Sequence, residues 1–242
     1  MNPSRGIAAG AVPALILGAF VCAGLIGLGY WATQGALAVK GLERSVTVKG
    51  LAEREVPADI AIWPITFTEV DNDVAALYDS VQRQTTLVLD FLAEQGFTAD
   101  AISTAPPSII DRQAQGYANA AQLPFRYTAT ATITVYTRDI ERVRDAMTRL
   151  ASLGQRGITI ISAGGTAQFL FTGLNDLKPA MIEAATRNAR EVADKFAADS
   201  DSRLGKIRRA SQGLFSIADR DSNTPYIKKV RVVSTVEYYL SD

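Results

Sequence analysis

Residues 126–137 read Arg-Tyr-Thr-Ala-Thr-Ala-Thr-Ile-Thr-Val-Tyr-Thr, and this stretch decides the fold class. Tyr127, Ala129, Ala131, Ile133 and Val135 share one face, while Thr128, Thr130, Thr132 and Thr134 share the other. Alternation kept up along the whole stretch marks a strand with one apolar and one polar face. Such a strand suits an antiparallel sheet covered on one side.

The same pattern is found on either side of it. Ser45–Val48 alternates, Pro57-Ala58-Asp59 marks a turn, and Ile60–Val70 places Ala61, Trp63, Ile65 and Phe67 on one face. Residues 45–67 thus read as a first hairpin. Pro64 lacks the N–H a ladder needs, which predicts an edge strand or a bulge. Asp71-Asn72-Asp73 reads as the cap of a helix with Val74, Leu77, Tyr78, Val81, Val88, Phe91 and Leu92 at helical spacing, stopped at Gly96. A strand near Ala101–Ile110 and a long polar loop, Asp111–Pro124, precede the decisive stretch. After it, Ile140, Val143, Met147 and Leu150 predict a second helix ending at Gly154. Ile158–Ser162 and Thr166–Phe171 flank Gly164-Gly165, a hairpin signal. A third helix is expected over about Leu177–Ala198, with Pro179 in its first turn and Met181, Ala184, Ala185, Val192 and Phe196 as its apolar stripe. Two strands, about Lys206–Ile217 and Lys229–Leu240, close the chain around a polar loop, Asp219–Thr224. The order ββα-ββα-ββα-ββ predicts an α+β fold, antiparallel sheet with helices on one face, over residues 45–242.

Ahead of this domain, Gly6–Trp31 carries no charged residue. As a helix this run spans about 39 Å, more than the ~30 Å bilayer core, with Tyr30 and Trp31 at the interface end. Ala36-Leu37-Ala38 offers a cleavage pattern, but the run outlasts the roughly 7–15 residues of a signal-peptide core. A retained transmembrane anchor over 1–33, a linker over 34–44 and an outward-facing domain are therefore expected. Positive charges barely favour either orientation, so the short N-terminus before a large domain is what supports N-in.

Lys+Arg and Asp+Glu each number 25, so no positive excess exists to displace counterions, and nucleic-acid binding is not expected. Histidine is absent and Cys22 is the one cysteine. That removes His/Cys zinc sites, Ser-His-Asp triads and Cys-His pairs. No phosphate-cradling glycine motif occurs. Glu69, Asp71 and Asp73 read as helix-capping carboxylates rather than a calcium loop. Lys206, Arg208, Arg209, Lys228, Lys229 and Arg231 would form a basic patch if the last strands pair, the alternatives being a solvated strand face or inter-subunit ion pairs. Asn188 falls on the stripe of the third helix, at a boundary. Asp111–Pro124, with Tyr117, is the segment best suited to outside contacts. No catalytic, cofactor or metal residues are assigned.

Four stretches together resemble SIMPL-domain proteins, a bacterial envelope family. They are SVTVKGLAEREVPADIAIWPITF with Gly50, Val56, Pro57 and Asp59; FRYTATATITVYTRDIERVRDAM; the third helix running to SRLGKI; and VRVVSTVEYYL. The resemblance implies a periplasmic setting, links to oxidative-stress defence, ring- or cage-like homo-oligomers, and no established catalytic residues. Many such proteins carry a cleavable signal, and the long apolar N-terminus departs from that. The expectation is a non-enzymatic protein of the bacterial inner membrane, single-pass, its domain in the periplasm, with the lipid bilayer and its own copies as partners and no cofactor. The alternative is a periplasmic module that binds a small molecule, lipid headgroup or partner protein.

Overall fold

The computed structural model describes residues 8–41, 44–114, 124–161 and 167–241. Helix α1 (Ala8–Gly41) is followed by β1 (Ser45–Pro57), β2 (Ile60–Asp71) and α2 (Val74–Glu94). A 3-10 turn (Ala99–Ala101) leads to β3 (Ile102–Thr104), β4 (Ser108–Asp111) and β5 (Tyr127–Thr137). Then come α3 (Ile140–Arg149), α4 (Ala151–Gln155), β6 (Gln168–Leu170) and α5 (Leu174–Asp199). The last strands are β7 (Arg203–Gln212), β8 (Ser216–Asp219) and β9 (Ile227–Ser241). The fold is α+β with antiparallel pairing, as the alternation predicts.

Two compact units result, residues 53–181 with 215–231, and residues 1–52 with 182–214 and 232–242. In the first, β5 pairs along the whole of β2, from Ala61–Thr137 to Asp71–Tyr127. The alternating apolar faces of both strands are buried against α2 and α3; Ala61, Trp63, Ile65, Phe67, Ala129 and Val135 are almost fully enclosed. Asp73 caps α2 by accepting from the N–H groups of Ala75 and Ala76. Gly96, at φ +83°, ends that helix in a conformation that favours glycine. Strand 101–110 is split, because Pro106-Pro107 interrupts it. Between Thr104–Ile133 and Ser108–Thr130 the register against β5 slips by one residue.

Pro64 is not on an edge strand. β2 is an interior strand, with β5 on one side and β6 on the other. Thr66 and Thr68 make their backbone bonds toward the β6 side, to Ile161 and Thr159, and the period of two turns Pro64 the same way. On that side Ile62 pairs with Gln168 and Phe67 with Ile160, and most of the residues between those partners lie outside the described ones. The expected hairpin about Gly164-Gly165 lies outside the described residues. Its described flanks do not pair with each other; both lie antiparallel along β2.

Three further expectations are corrected. Residues 45–67 are not a hairpin: β1 joins β9 in one sheet and β2 joins β5 in another. The reason is the corner, where Ala58 N–H donates to Tyr226 O and Asp59 N–H to Leu170 O, so neither amide closes a β1–β2 turn. The second helix breaks at Leu150 and ends at Gly157 (φ +87°), with Gly154 inside α4. The third helix begins at Leu174, so Pro179 stands in its second turn and leaves the Asn175 carbonyl without its helical donor.

Of the predicted stripe on α5, Met181 and Ala185 are buried and Val192 is half-buried, whereas Ala184 and Phe196 are exposed; in the second unit the buried face is Ala185, Ala189, Ala193 and Ala197. The alanines form a shallow groove that lies against β1. A Cβ on Gly50 would fall 1.9 Å from the Ala185 carbonyl oxygen and 2.8 Å from Ala189 Cβ. Asn188 Oδ1 accepts from the Leu51 N–H of β1, satisfying an edge donor. Val48, Ala189, Ala193, Val236 and Tyr238 make the local core. α1 runs on through residues 34–41, so this part of the expected linker is helical; Ala, Leu and Lys there favour helix. Leu15–Ala36 has mean hydropathy 2.0 and no buried residue, long and apolar enough to cross a membrane.

Gly50→Ala is expected to destabilise the fold by about 2 kcal/mol or more, because a backbone oxygen must move to admit the methyl. A chemical-denaturation midpoint equal to that of the unchanged protein would refute this account of the contact.

Candidate functional site

An open cleft of about 910 Å³ is formed by residues of α3, α4, Ile158–Ile160, Phe169 of β6 and the loop 222–226. Its apolar wall is Met147, Leu150, Ile158, Ile160 and Phe169, all part of the core of the first unit or packed on it. The helices present this wall because Val143 and Ala146 face inward, which turns Arg144, Met147 and Thr148 along the rim of α3.

Tyr226 forms the opposite side. Its ring meets Phe169 edge-on at 6.1 Å between centroids, and the Arg144 guanidinium lies 3.9 Å over it. Arg144 also donates to the Tyr226 hydroxyl at 3.2 Å and to both Glu141 oxygens at 2.8 and 2.7 Å. The cation is thus committed three ways. Tyr226 is held from behind by the Ala58 N–H, 2.8 Å from its carbonyl oxygen.

Asp221 builds the loop. Its carboxylate accepts from the Asn223 and Thr224 N–H groups at 2.8 Å, from the Thr224 hydroxyl, and from Arg220 Nε at 3.1 Å. The Thr224 hydroxyl and then Arg220 hold the Asp221 carboxyl down at about 2. Arg220 reaches Glu55 as well, at 3.6 Å. The loop Asp219–Thr224, read from sequence as a polar connection, is therefore an ordered wall of the cleft.

The residues singled out from sequence take other places. Asp73 caps α2, and Asp71 accepts from the Asn72 and Asp73 N–H groups at 2.6 and 2.9 Å. Burial pushes the Glu69 carboxyl up, opposed by its hydrogen bond with Ser80 and the charge of Arg83. Among the described residues no three carboxylates converge on a metal-sized site. Four of the six basic residues are paired: Arg208 with Glu237 at 2.9 Å, Lys228 with Asp219, and Lys229 and Arg231 with Glu53 at 3.3 and 3.6 Å. The expected patch is largely a set of cross-strand ion pairs. Most of the Asp111–Pro124 loop lies outside the described residues. Its ends are tied by Arg126 to Asp111 at 2.7 Å and by Asn72, which donates to Pro124 O and accepts from the Arg126 N–H.

Sequence reading did not find the cleft. Its walls come from residues more than fifty positions apart in the chain, and Arg144 and Tyr226 carry no local signal. Asp221-Ser222-Asn223-Thr224-Pro225 has turn composition, but composition alone does not place a turn against a helix.

A sequence model of the SIMPL family, described as a protein of unknown function (DUF541), matches residues 46–237. No curated protein matches the chain.

The carboxylate of Asp221 has its folded value below the unfolded one near 3.9. The stability it contributes is complete above about pH 4 and is lost as the pH falls through about 2. Asp221→Asn is expected to remove this pH-dependent component; a Tm difference between the two proteins that stays constant from pH 5 to pH 2 would contradict it.

Proposed function

The chain belongs to the SIMPL family, whose model covers about four fifths of it, and on that premise we propose a membrane-tethered assembly protein. In this reading α1 holds the domain to the inner membrane of a bacterium, the domain lies in the periplasm, and copies close into a symmetric ring- or cage-like oligomer. The role is structural rather than catalytic and serves envelope or oxidative-stress defence. A chain with no histidine, and no thiol beyond Cys22, supports leaving catalysis out. The apolar helix supports the tether.

β7 is the observation that carries the assembly. It is an edge strand of the β1-β9-β7 sheet, and every residue from Lys206 to Gln212 is exposed. Ile207 is 48% exposed, and Leu214, just beyond the strand, is 96% exposed. An edge with both faces in water offers unpaired backbone groups together with apolar side chains, the template for another chain. Lys206 and Arg209 on that edge restrict which partner can pair. A closed point-group arrangement of identical subunits covers such an edge on every copy.

Light scattering of the full-length protein in detergent is the test, with the detergent contribution subtracted. A mass several times 26.0 kDa is expected. Leu214→Glu changes a side chain in contact with almost nothing in its own chain, so stability should stay within about 0.5 kcal/mol while the mass falls. A monomer at micromolar concentration, for the unchanged protein, sinks the reading.

A further inference from the structure

We infer that the cleft between α3–α4 and the loop 222–226 is a binding site for an uncharged, largely apolar small molecule, a lipid chain or a ring system of similar bulk. Its volume of about 910 Å³ falls in the range of small-molecule pockets, roughly 300–1,000 Å³. The wall is aliphatic and aromatic: Met147, Leu150, Ile158, Ile160 and Phe169, with the Tyr226 ring opposite. Uncharged hydrogen-bonding side chains beside this wall are those of Thr148, Thr159, Ser222 and Asn223 and the Tyr226 hydroxyl. This is the distribution that orients a polar end while burying an apolar body.

Charge selects against ionic ligands. Arg144 is the basic side chain lining the cleft, and it is already neutralised by both oxygens of Glu141 and stacked on Tyr226. Drawing it toward an anion would break these contacts. Asp145, also on the rim, is exposed and keeps its water. An anionic ligand would thus lose hydration to an apolar wall whose lining cation is already committed, and a cationic one would meet only the well-solvated Asp145. An uncharged one loses little and covers the apolar wall.

The site is also built to persist without its ligand. Tyr226 is fixed by the Ala58 N–H, by Phe169 and by Arg144, and the loop beside it by Asp221. Pre-formed walls spare a ligand the cost of ordering them.

Gly154 supplies a selective test. It lines the cleft from within α4, and a Cβ there meets nothing within 4 Å. Gly154→Trp therefore fills the cleft, and it replaces a glycine, a poor helix former, inside α4. The probe is a neutral phenyl diazirine, photolysed with the full-length protein in nanodiscs, and labelled peptides are mapped by mass spectrometry. Label within residues 144–160 and 222–226 that saturates with probe is expected, beside label in α1 that rises in proportion to probe. Gly154→Trp should lose the cleft label and keep that in α1. Ser222→Trp, on the opposite wall, repeats the test should α4 reject the ring. Competition by dodecanol assigns a chain-shaped ligand, and competition by naphthalene a ring-shaped one. Label confined to α1, cleft label that never saturates, or cleft label unchanged in both folded variants overturns the proposal.

Discussion

The corner Pro57-Ala58-Asp59 is the constraint on which much of the first unit depends. Three residues turn the chain out of β1, and nearly every polar group they carry is engaged elsewhere. Pro57 has no N–H to satisfy. Ala58 N–H reaches the Tyr226 carbonyl and Asp59 N–H the Leu170 carbonyl, both at 2.8 Å. The Asp59 carboxylate collects the Thr172 N–H and hydroxyl at 2.8 Å and the Gly173 N–H at 3.1 Å. One corner thus holds the loop beside the cleft, the end of β6 and the start of α5. Bonds to an ionised carboxylate are worth about 1.5–3 kcal/mol each, roughly twice a neutral one. Their number here explains why α5 starts where it does, ahead of a proline that would otherwise have been its natural first turn.

This corner also shows where sequence reading stops. Pro-Ala-Asp was legible as a turn because its residues carry local signals. What the turn joins was not, since its partners lie more than a hundred residues away. The strands and helices were legible for the same reason in reverse: alternation in 126–137 and helical spacing in 74–92 are local consequences of burying one face. Pro64 shows the boundary well. The missing N–H suggested an edge, yet β2 is an interior strand, because its second neighbour, β6, comes from a segment about a hundred residues further along the chain. Gly50 was noticed only as part of a resemblance. Its physical reason, an alanine face of α5 packed against β1, requires the tertiary contact to be seen. Phe196, proposed for that face, lies exposed instead, and alanines take the close approach.

The charges tell a related story. Six cations on the last strands look like an anion-binding surface when counted along the chain. Glu53, Asp219 and Glu237 are spread through the sequence, yet pairing brings them against Lys229 and Arg231, Lys228, and Arg208. The Glu237 carboxyl is held below its usual range, first by the Ser45 hydroxyl and then by Arg208. Such exposed pairs add little stability, generally under about 1 kcal/mol each. Their effect is on register, because each pair favours one set of residues standing opposite one another on neighbouring strands.

That distinction separates the two surfaces of interest. The open cleft is lined largely by apolar side chains, and its Arg144 is already committed to Glu141 and Tyr226. β7 is the opposite, with no strand of the described residues paired along one edge and residues 206–212 exposed. Burying Leu214 or Ile207 against a second chain recovers about 1.5–3 kcal/mol for each side chain fully enclosed, and pairing of the edge fixes direction and register, which apolar contact alone does not. Small ligands cannot complete a row of backbone donors and acceptors, whereas another strand can. The physical chemistry of each surface therefore points to a different class of partner, a small apolar molecule for the cleft and a polypeptide edge for β7.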